Sequence, residues 1–395
     1  MELDERIISE VFPSLSLNFE NTWFINTRMG VWGRIDPEQR KGDLFGFAGI
    51  ESDTCEARYV DVIQVDKELF FLPQLITNKI CVAVYNLDED NLEEISLKNK
   101  ETLDPKWPLF CSWIRLGDYL FALGNSYPAI VRVDIKTKEV DYIEKWVEYI
   151  KPFVKEEIKL PYISSSQVML DGNKIYIPIT ASPVILTVDL CTMKEEIMLL
   201  NIEGDGFVGI CKIGSSACLL NGSGKQSNRL YLYDFQKNEV LEQYQLPELD
   251  ENVPIVKMLN RNNKTYIFRW SFLKPENNYN DVYVYSAESE ELENLRMVEK
   301  NHSDGISAWG EGVLNAFWKN EETLVYITGN DLMWHEYNTS TGECLDYKMS
   351  IDKESDGYNK GMNQWFCALT QKKVLFHEKR LSLNQFLKEI EYSNI

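Results

Sequence analysis

The sequence is short of the groups that most enzymatic chemistry needs. It holds three histidines in 395 residues, His302, His335 and His377. A His-rich metal site is not expected, and a Ser-His-Asp triad would have to draw on His302 or His377. His335 lies inside an apparent strand and reads as structural. There is no GxSxG, HExxH or P-loop, and no GxGxxG between a strand and a helix. The eight cysteines (55, 81, 111, 191, 211, 218, 344, 367) form no CxxC pair. Most sit in apolar stretches, which predicts reduced, buried thiols with no structural zinc. No metal and no cofactor is expected.

Positive charge is also scarce. Lys and Arg number 41 against 62 Asp and Glu, giving a net charge of −21 and a pI near 4.7. That excludes nucleic acid as the expected partner, because phosphate binding needs a basic surface. No apolar run reaches the roughly 18 residues of a membrane-spanning helix, so no membrane association is expected. The first residues, MELDERIISEVF, are acidic and lack the apolar core of a secretory signal. The expectation is a cytoplasmic, bacterial protein.

What the sequence has is a repeat. In AIVRVDIKTKEVDYIE (129–144), Val131, Val133 and Ile135 alternate with Arg132 and Asp134, the period-2 pattern of a half-buried strand. A turn follows Asp134. The pattern recurs at about 50-residue intervals, with Asp36, Asn86, Asp189, Asp234, Ser286 and Asn338 in the place of Asp134. Asp, Asn and Ser suit that place because their side chains bond back to turn amides. The preceding residue is always apolar or aromatic: Ile35, Tyr85, Val133, Val188, Tyr233, Tyr285, Tyr337. One side of the strand is packed.

A second apolar strand lies upstream of each hairpin, at 22–26, 69–73, 119–124, 174–178, 217–221, 265–270 and 324–328, and an eighth at 373–377 has no hairpin after it. A third, more variable strand precedes each, as in VDVIQV (60–65). Four short strands per repeat of this length resemble a β-propeller, whose blades bury their faces only by stacking. The fold class is therefore all-β, one propeller domain over residues 1–395. The expected units lie near 7–52, 57–98, 108–146, 162–200, 206–246, 252–297, 303–350 and 361–378. The favoured count is eight blades, the last incomplete and closed by a strand from residues 2–12; seven is the alternative. Deleting 361–395 would then expose blade edges. A C-terminal helix is expected at 382–392, capped by Ser382 and striped by Leu383, Phe386, Leu387 and Ile390.

Two stretches interrupt the repeat. In 142–161, Trp146, Val147 and Ile150 fall at helical spacing before Pro152. The stretch reads as a connector, or as a lid. The other, 271–281, reads as a solvated loop.

HSDGISAW (302–309) and ESDGYNKGMNQW (354–365) each hold Ser-Asp-Gly before a Trp. They resemble the Asp-box of sialidase-like propellers but lack the residue between Asp and Gly. In that family the box is a structural turn, so the resemblance implies no sialidase activity. Kelch and WD40 signatures are absent. The resemblance is architectural and singles out no family.

In propellers the first strand starts, and the second ends, on one rim. By that resemblance the second-strand ends form a candidate binding ring: Asn26, Arg28, Gln74, Asn125, Thr180, Asn221, Arg269, Trp270, Asn330 and His377. Amides, hydroxyls, two guanidinium groups and an indole suit hydrogen bonding, stacking and the clamping of an anion. The hairpin anchors repeat while these positions differ, as expected of a common scaffold carrying a site. The reading is a non-catalytic binding or scaffold propeller that presents this rim to a protein or peptide. The alternative is a hydrolase or lyase acting on a sugar, peptide or small acid, with Asp304, Asp356 or Glu378 as acid or base.

Overall fold

The computed structural model describes residues 15–18, 23–26, 31–47, 59–74, 79–102, 107–154, 163, 167–202, 204–215, 217–246, 255–271, 282–295, 311–328, 333–347, 350–351, 375–376 and 379–380. The fold is a β-propeller with seven four-stranded blades. The blades lie at 15–47, 59–96, 110–143, 169–199, 207–245, 255–294 and 311–347. Packing divides the chain into a first unit, Met1–Lys98 with Lys319–Thr323 and Leu332–Ile395, and a second, Asn99–Trp318 with Leu324–Asp331.

The third blade shows the plan. Phe110–Leu116, Tyr119–Gly124, Ile130–Asp134 and Val140–Ile143 pair antiparallel in chain order. Tyr119 stands opposite Asp134, and Gly124 opposite Phe110. Each blade thus has a turn end, with the hairpin, and a rim end, where the second strand hands over to the third. Fourth strands such as Asn91–Ser96 are largely exposed, while third strands such as Cys81–Asn86 are mostly buried.

The core lies between neighbouring sheets. In the first unit, Trp23, Ile25 and Trp32 of the first blade pack with Tyr59, Val62 and Phe71 of the second. There Trp23 Nε1 donates to Gln64 Oε1 at 2.6 Å. In the second unit, Ile175, Ile177 and Leu186 of the fourth blade pack with Phe121 and Ile130 of the third. Leu220 and Tyr231 of the fifth blade meet Met169 and Ile185 of the fourth, and Met258, Ile267 and Tyr283 of the sixth meet Leu219 and Leu232 of the fifth. Burial keeps the cysteines here as thiols. The thiols of Cys111 and Cys211 are pushed up to about 12, and Cys218 also lies well above its ordinary value. Cys191 and Cys344 are exposed, unlike the expected majority.

All seven hairpins use one turn. In six of them the anchor Oδ1 accepts the backbone N–H groups two and three residues on. Asp134 Oδ1, for example, accepts from Lys136 and Thr137 at 2.9 and 2.8 Å. The pattern repeats at Asp36, Asn86, Asp189, Asp234 and Asn338. Ser286 reaches only the third amide, at 3.5 Å. Four residues after each anchor the backbone is left-handed: Arg40, Asp90, Lys138, Met193, Asn238, Glu290 and Gly342. The turns are built from side-chain acceptors and from strain that glycine relieves in the seventh blade alone.

These bonds make two anchors acid-sensitive. The amide of Thr137 holds the Asp134 carboxyl below its ordinary value of 3.8, and that of Thr192 does the same for Asp189. A lowered folded pKa means the fold prefers the ionised form. Its contribution is therefore present above the ordinary value and lost as pH falls through the folded one. Asparagine keeps the acceptor without the charge, as Asn86 and Asn338 already do. The Asp134→Asn, Asp189→Asn variant is expected to lose less melting temperature than wild type between pH 5 and about pH 3. Parallel acid limbs would show that the anchors do not titrate with folding.

Eight blades are not formed. The chain after the seventh blade adds Ser350–Ile351 in parallel to Lys41–Phe47 of the first blade. Leu375–Phe376 then pairs with Lys379–Arg380 as a two-stranded hairpin. Among the described residues no first strand or anchored hairpin stands beside this pair, and two-residue strands bury too little to make a blade. Residues 2–12 and 382–392 lie outside the described residues.

The 142–161 stretch is a connector over its described part. Trp146–Ile150 forms helix α1, followed by a 3-10 turn at Lys151–Phe153 that contains Pro152. Trp146, Val147 and Ile150 are buried against the fourth blade. No side chain of its own caps α1. Instead Glu195, on the fourth strand of the next blade, accepts from the amides of Lys145 and Trp146 at 3.0 and 2.8 Å.

Candidate binding rim

At the rim of the second unit, second-strand ends fold back on the starts of first strands. The amides of Asn125 and Tyr127 both donate to Leu109 O, at 2.8 and 3.0 Å, and Ser126 Oγ donates to Trp107 O at 3.0 Å. The chain turns so sharply that a Cβ on Gly124 would lie 2.1 Å from Ala129 O. Between the fourth and fifth blades, Phe207 N donates to Ile179 O and Ser223 N to Gly206 O, each at 2.9 Å. Ser223 Oγ donates to Thr180 O at 2.6 Å. A Cβ on Gly206 would meet Thr180 O at 2.3 Å. The Asn221 amide donates to Ser227 O and Arg229 O at 3.0 and 3.3 Å and fixes the loop that follows.

The rim therefore has two layers. Asn125, Ser126, Thr180, Ser182, Asn221 and Ser223 are buried polar groups from three consecutive blades. Outside them the loop 224–228 is half-buried, with Lys225 exposed. Three acceptor atoms of the buried layer, Asn125 Oδ1, Ser182 Oγ and Asn221 Oδ1, find no hydrogen-bond partner among the described residues. A buried polar atom left in that state costs about 1–3 kcal/mol.

Of the ring expected from sequence, Asn125, Thr180 and Asn221 each stand at a second-strand end of the second unit, buried rather than presented. Arg269 is 2% exposed, so its guanidinium faces the interior. Trp270 continues the same strand, Lys264–Ser271, and its backbone pairs with Gly312 of the next blade. Gln74 is a half-buried second-strand end in the first unit, and its Oε1 is shielded without a partner among the described residues. Asn26 ends the second strand Trp23–Asn26. Arg28, Asn330 and His377 lie outside the described residues, as do Asp304, Asp356, Glu378 and the 272–281 part of the polar loop. Sequence reading missed Ser182. Its signal is the small polar run Thr180-Ala181-Ser182 directly after an apolar strand.

No protein-family model matches the chain, and no curated protein matches it. Solved structures of similar shape exist. Hsv2 of Kluyveromyces lactis is 8% identical, with a TM-score of 0.50 over 85% of this chain and 98% of that one. A streptogramin B lyase is 11% identical, with a TM-score of 0.47 over 75% and 84%. A chain of a mitotic checkpoint complex is 10% identical, with a TM-score of 0.46 over 71% and 73%. At such identities the likeness extends to the fold alone. Among the described residues, no helix is long and apolar enough to cross a membrane.

Proposed function

We propose that this protein is a non-catalytic binding propeller that presents the second-strand rim to a protein or peptide partner. The observation that carries the reading is the contrast between the two ends of the blades. The turn end repeats one geometry seven times and is spent on holding the scaffold. The rim end differs from blade to blade and, in the second unit, concentrates buried amides and hydroxyls with acceptors left over. Those buried groups do not reach a partner themselves. They hold the outer loop 224–228, as the Asn221 amide does through Ser227 O and Arg229 O, and that loop is the surface a partner meets. The net charge of −21 steers and favours a partner whose contacting face is basic.

The test adds positive charge to the outer layer. Wild type and a Ser227→Lys, Asn228→Lys variant are used to capture partners from native lysate, and the retained protein is identified and purified. Its affinity is then measured for both, and for a Gln236→Lys, Gln243→Lys control bearing the same added charge on the turn and fourth strand of the same blade. The rim variant is expected to bind at least tenfold more weakly, a loss of about 1.4 kcal/mol, while the control binds like wild type. Equal binding by all three would remove this rim as the binding face.

A further inference from the structure

The hairpin of the seventh blade brings together three metal-ligating side chains that its sequence keeps apart. Trp334–Asn338 and Cys344–Tyr347 pair antiparallel, with His335 opposite Asp346. Cys344 precedes Asp346 by two residues, so both side chains leave the strand on the face that His335 occupies. His335 Nδ1 lies 2.7 Å from Asp346 Oδ1, and Cys344 Sγ lies 3.4 Å from the same oxygen. All three donor atoms lie within 4.8 Å of one another.

We propose that His335, Cys344 and Asp346 form a binding site for a divalent cation of borderline softness, of which zinc is the type. A nitrogen, a thiolate sulfur and a carboxylate oxygen are the three donor types zinc accepts, and three protein donors leave a fourth tetrahedral position for water or a partner's group. Zinc bonds of about 2.0–2.3 Å place neighbouring donors roughly 3.3–3.7 Å apart. The sulfur–oxygen distance already fits. The imidazole–carboxylate distance must open by about half an ångström, and Asp346, whose side chain is 53% exposed, is free to swing. His335 is 3% exposed and is held by the sheet, so the imidazole is the fixed donor around which the exposed pair closes. Binding would deprotonate the Cys344 thiol and release that proton to solvent. The site is separate from the rim proposal and does not depend on it.

Cobalt(II) is the probe, because a cobalt–thiolate bond gives a near-ultraviolet charge-transfer band and tetrahedral cobalt gives intense visible bands. The full chain, reduced and metal-free, is titrated as wild type, Cys344→Ser, Asp346→Asn and Cys191→Ser. Wild type and Cys191→Ser, which lacks the other thiol exposed among the described residues, are expected to bind one equivalent with both signatures, and zinc should bleach them. Cys344→Ser should lose the charge-transfer band. Asp346→Asn should weaken binding by more than the roughly 10–100-fold that loss of a supporting contact costs. Both substitutions are at exposed positions, and a normal melting curve confirms folding. No band in wild type, an equal band in Cys344→Ser, or unchanged affinity in Asp346→Asn would each overturn the site.

Discussion

Replacing Trp146 by alanine is expected to destabilise the protein by about 3–5 kcal/mol, the range for emptying a buried indole site. Trp146 is fully buried in helix α1, inside a cluster with Ile150, Ile163, Ile175, Ile177 and Leu186. The helix has five residues and is too short to persist without packing. Its hold on the fourth blade comes from that cluster and from the two amides bonded to Glu195. The indole Nε1 finds no partner among the described residues, so Trp146→Phe should recover most of the loss. Denaturant unfolding of the three proteins checks this. If Trp146→Ala unfolds within about 0.5 kcal/mol of wild type, the helix is a detachable flap and the lid reading of this stretch returns.

The second large effect is expected in the first unit, where a charged cluster ties the last blade to the first. Lys319 Nζ lies 3.0 Å from Glu336 Oε1 and 3.5 Å from Glu38 Oε1. Tyr347 donates to Glu336 Oε1 at 2.8 Å, and the Arg40 guanidinium stacks 4.4 Å above the Tyr347 ring. Burial and the Glu336 bond raise the Tyr347 phenol, which stays neutral and donating. Next to this cluster Ser350 bonds to Arg40 O through its amide and its hydroxyl, at 3.1 and 3.2 Å, where the added strand joins the first blade. The Lys319 and Glu336 side chains are each 11% exposed. Removing one leaves the other's buried charge with weaker partners, Glu38 at 3.5 Å for Lys319, and Tyr347 at 2.8 Å with Arg40 at 3.9 Å for Glu336. Lys319→Met is expected to cost about 3–5 kcal/mol. Lys319→Met, Glu336→Leu together should cost less than the sum of the two single changes, because no buried charge is left over. Additive losses would show that the two groups act independently.

The scaffold was far more legible in the sequence than the rim. Anchors such as Asp134 and Asn338 could be read because a short polar acceptor after an apolar strand has one local use, and every such anchor makes its turn. The left-handed residue four places on left only a broken trace: Asp90, Asn238 and Gly342 are types that mark it, but Arg40, Lys138, Met193 and Glu290 are not. The stretch 373–377 looked like a further second strand because apolar alternation reports a face to bury and not a strand's partner; its described part, Leu375–Phe376, pairs with the short Lys379–Arg380. Asn125, Asn221 and Arg269 were read as presented groups because polar residues after a strand usually are. Polar groups at this rim are covered by backbone that meets them only in the fold, as when the Asn125 amide reaches Leu109 O and Ser223 reaches Thr180 O. The trio of His335, Cys344 and Asp346 was invisible for a related reason: its proximity depends on strand register across a turn, not on spacing along the chain.

The central claim is that the rim end, not the turn end, meets the partner, and amide hydrogen exchange on the purified complex tests it most directly. Exchange is compared with and without the partner, peptide by peptide. The expected result is added protection confined to the rim segments of the second unit, 124–129, 179–183 and 221–228. Protection at the turns 134–139, 189–194 and 234–239, with the rim segments unchanged, would contradict it.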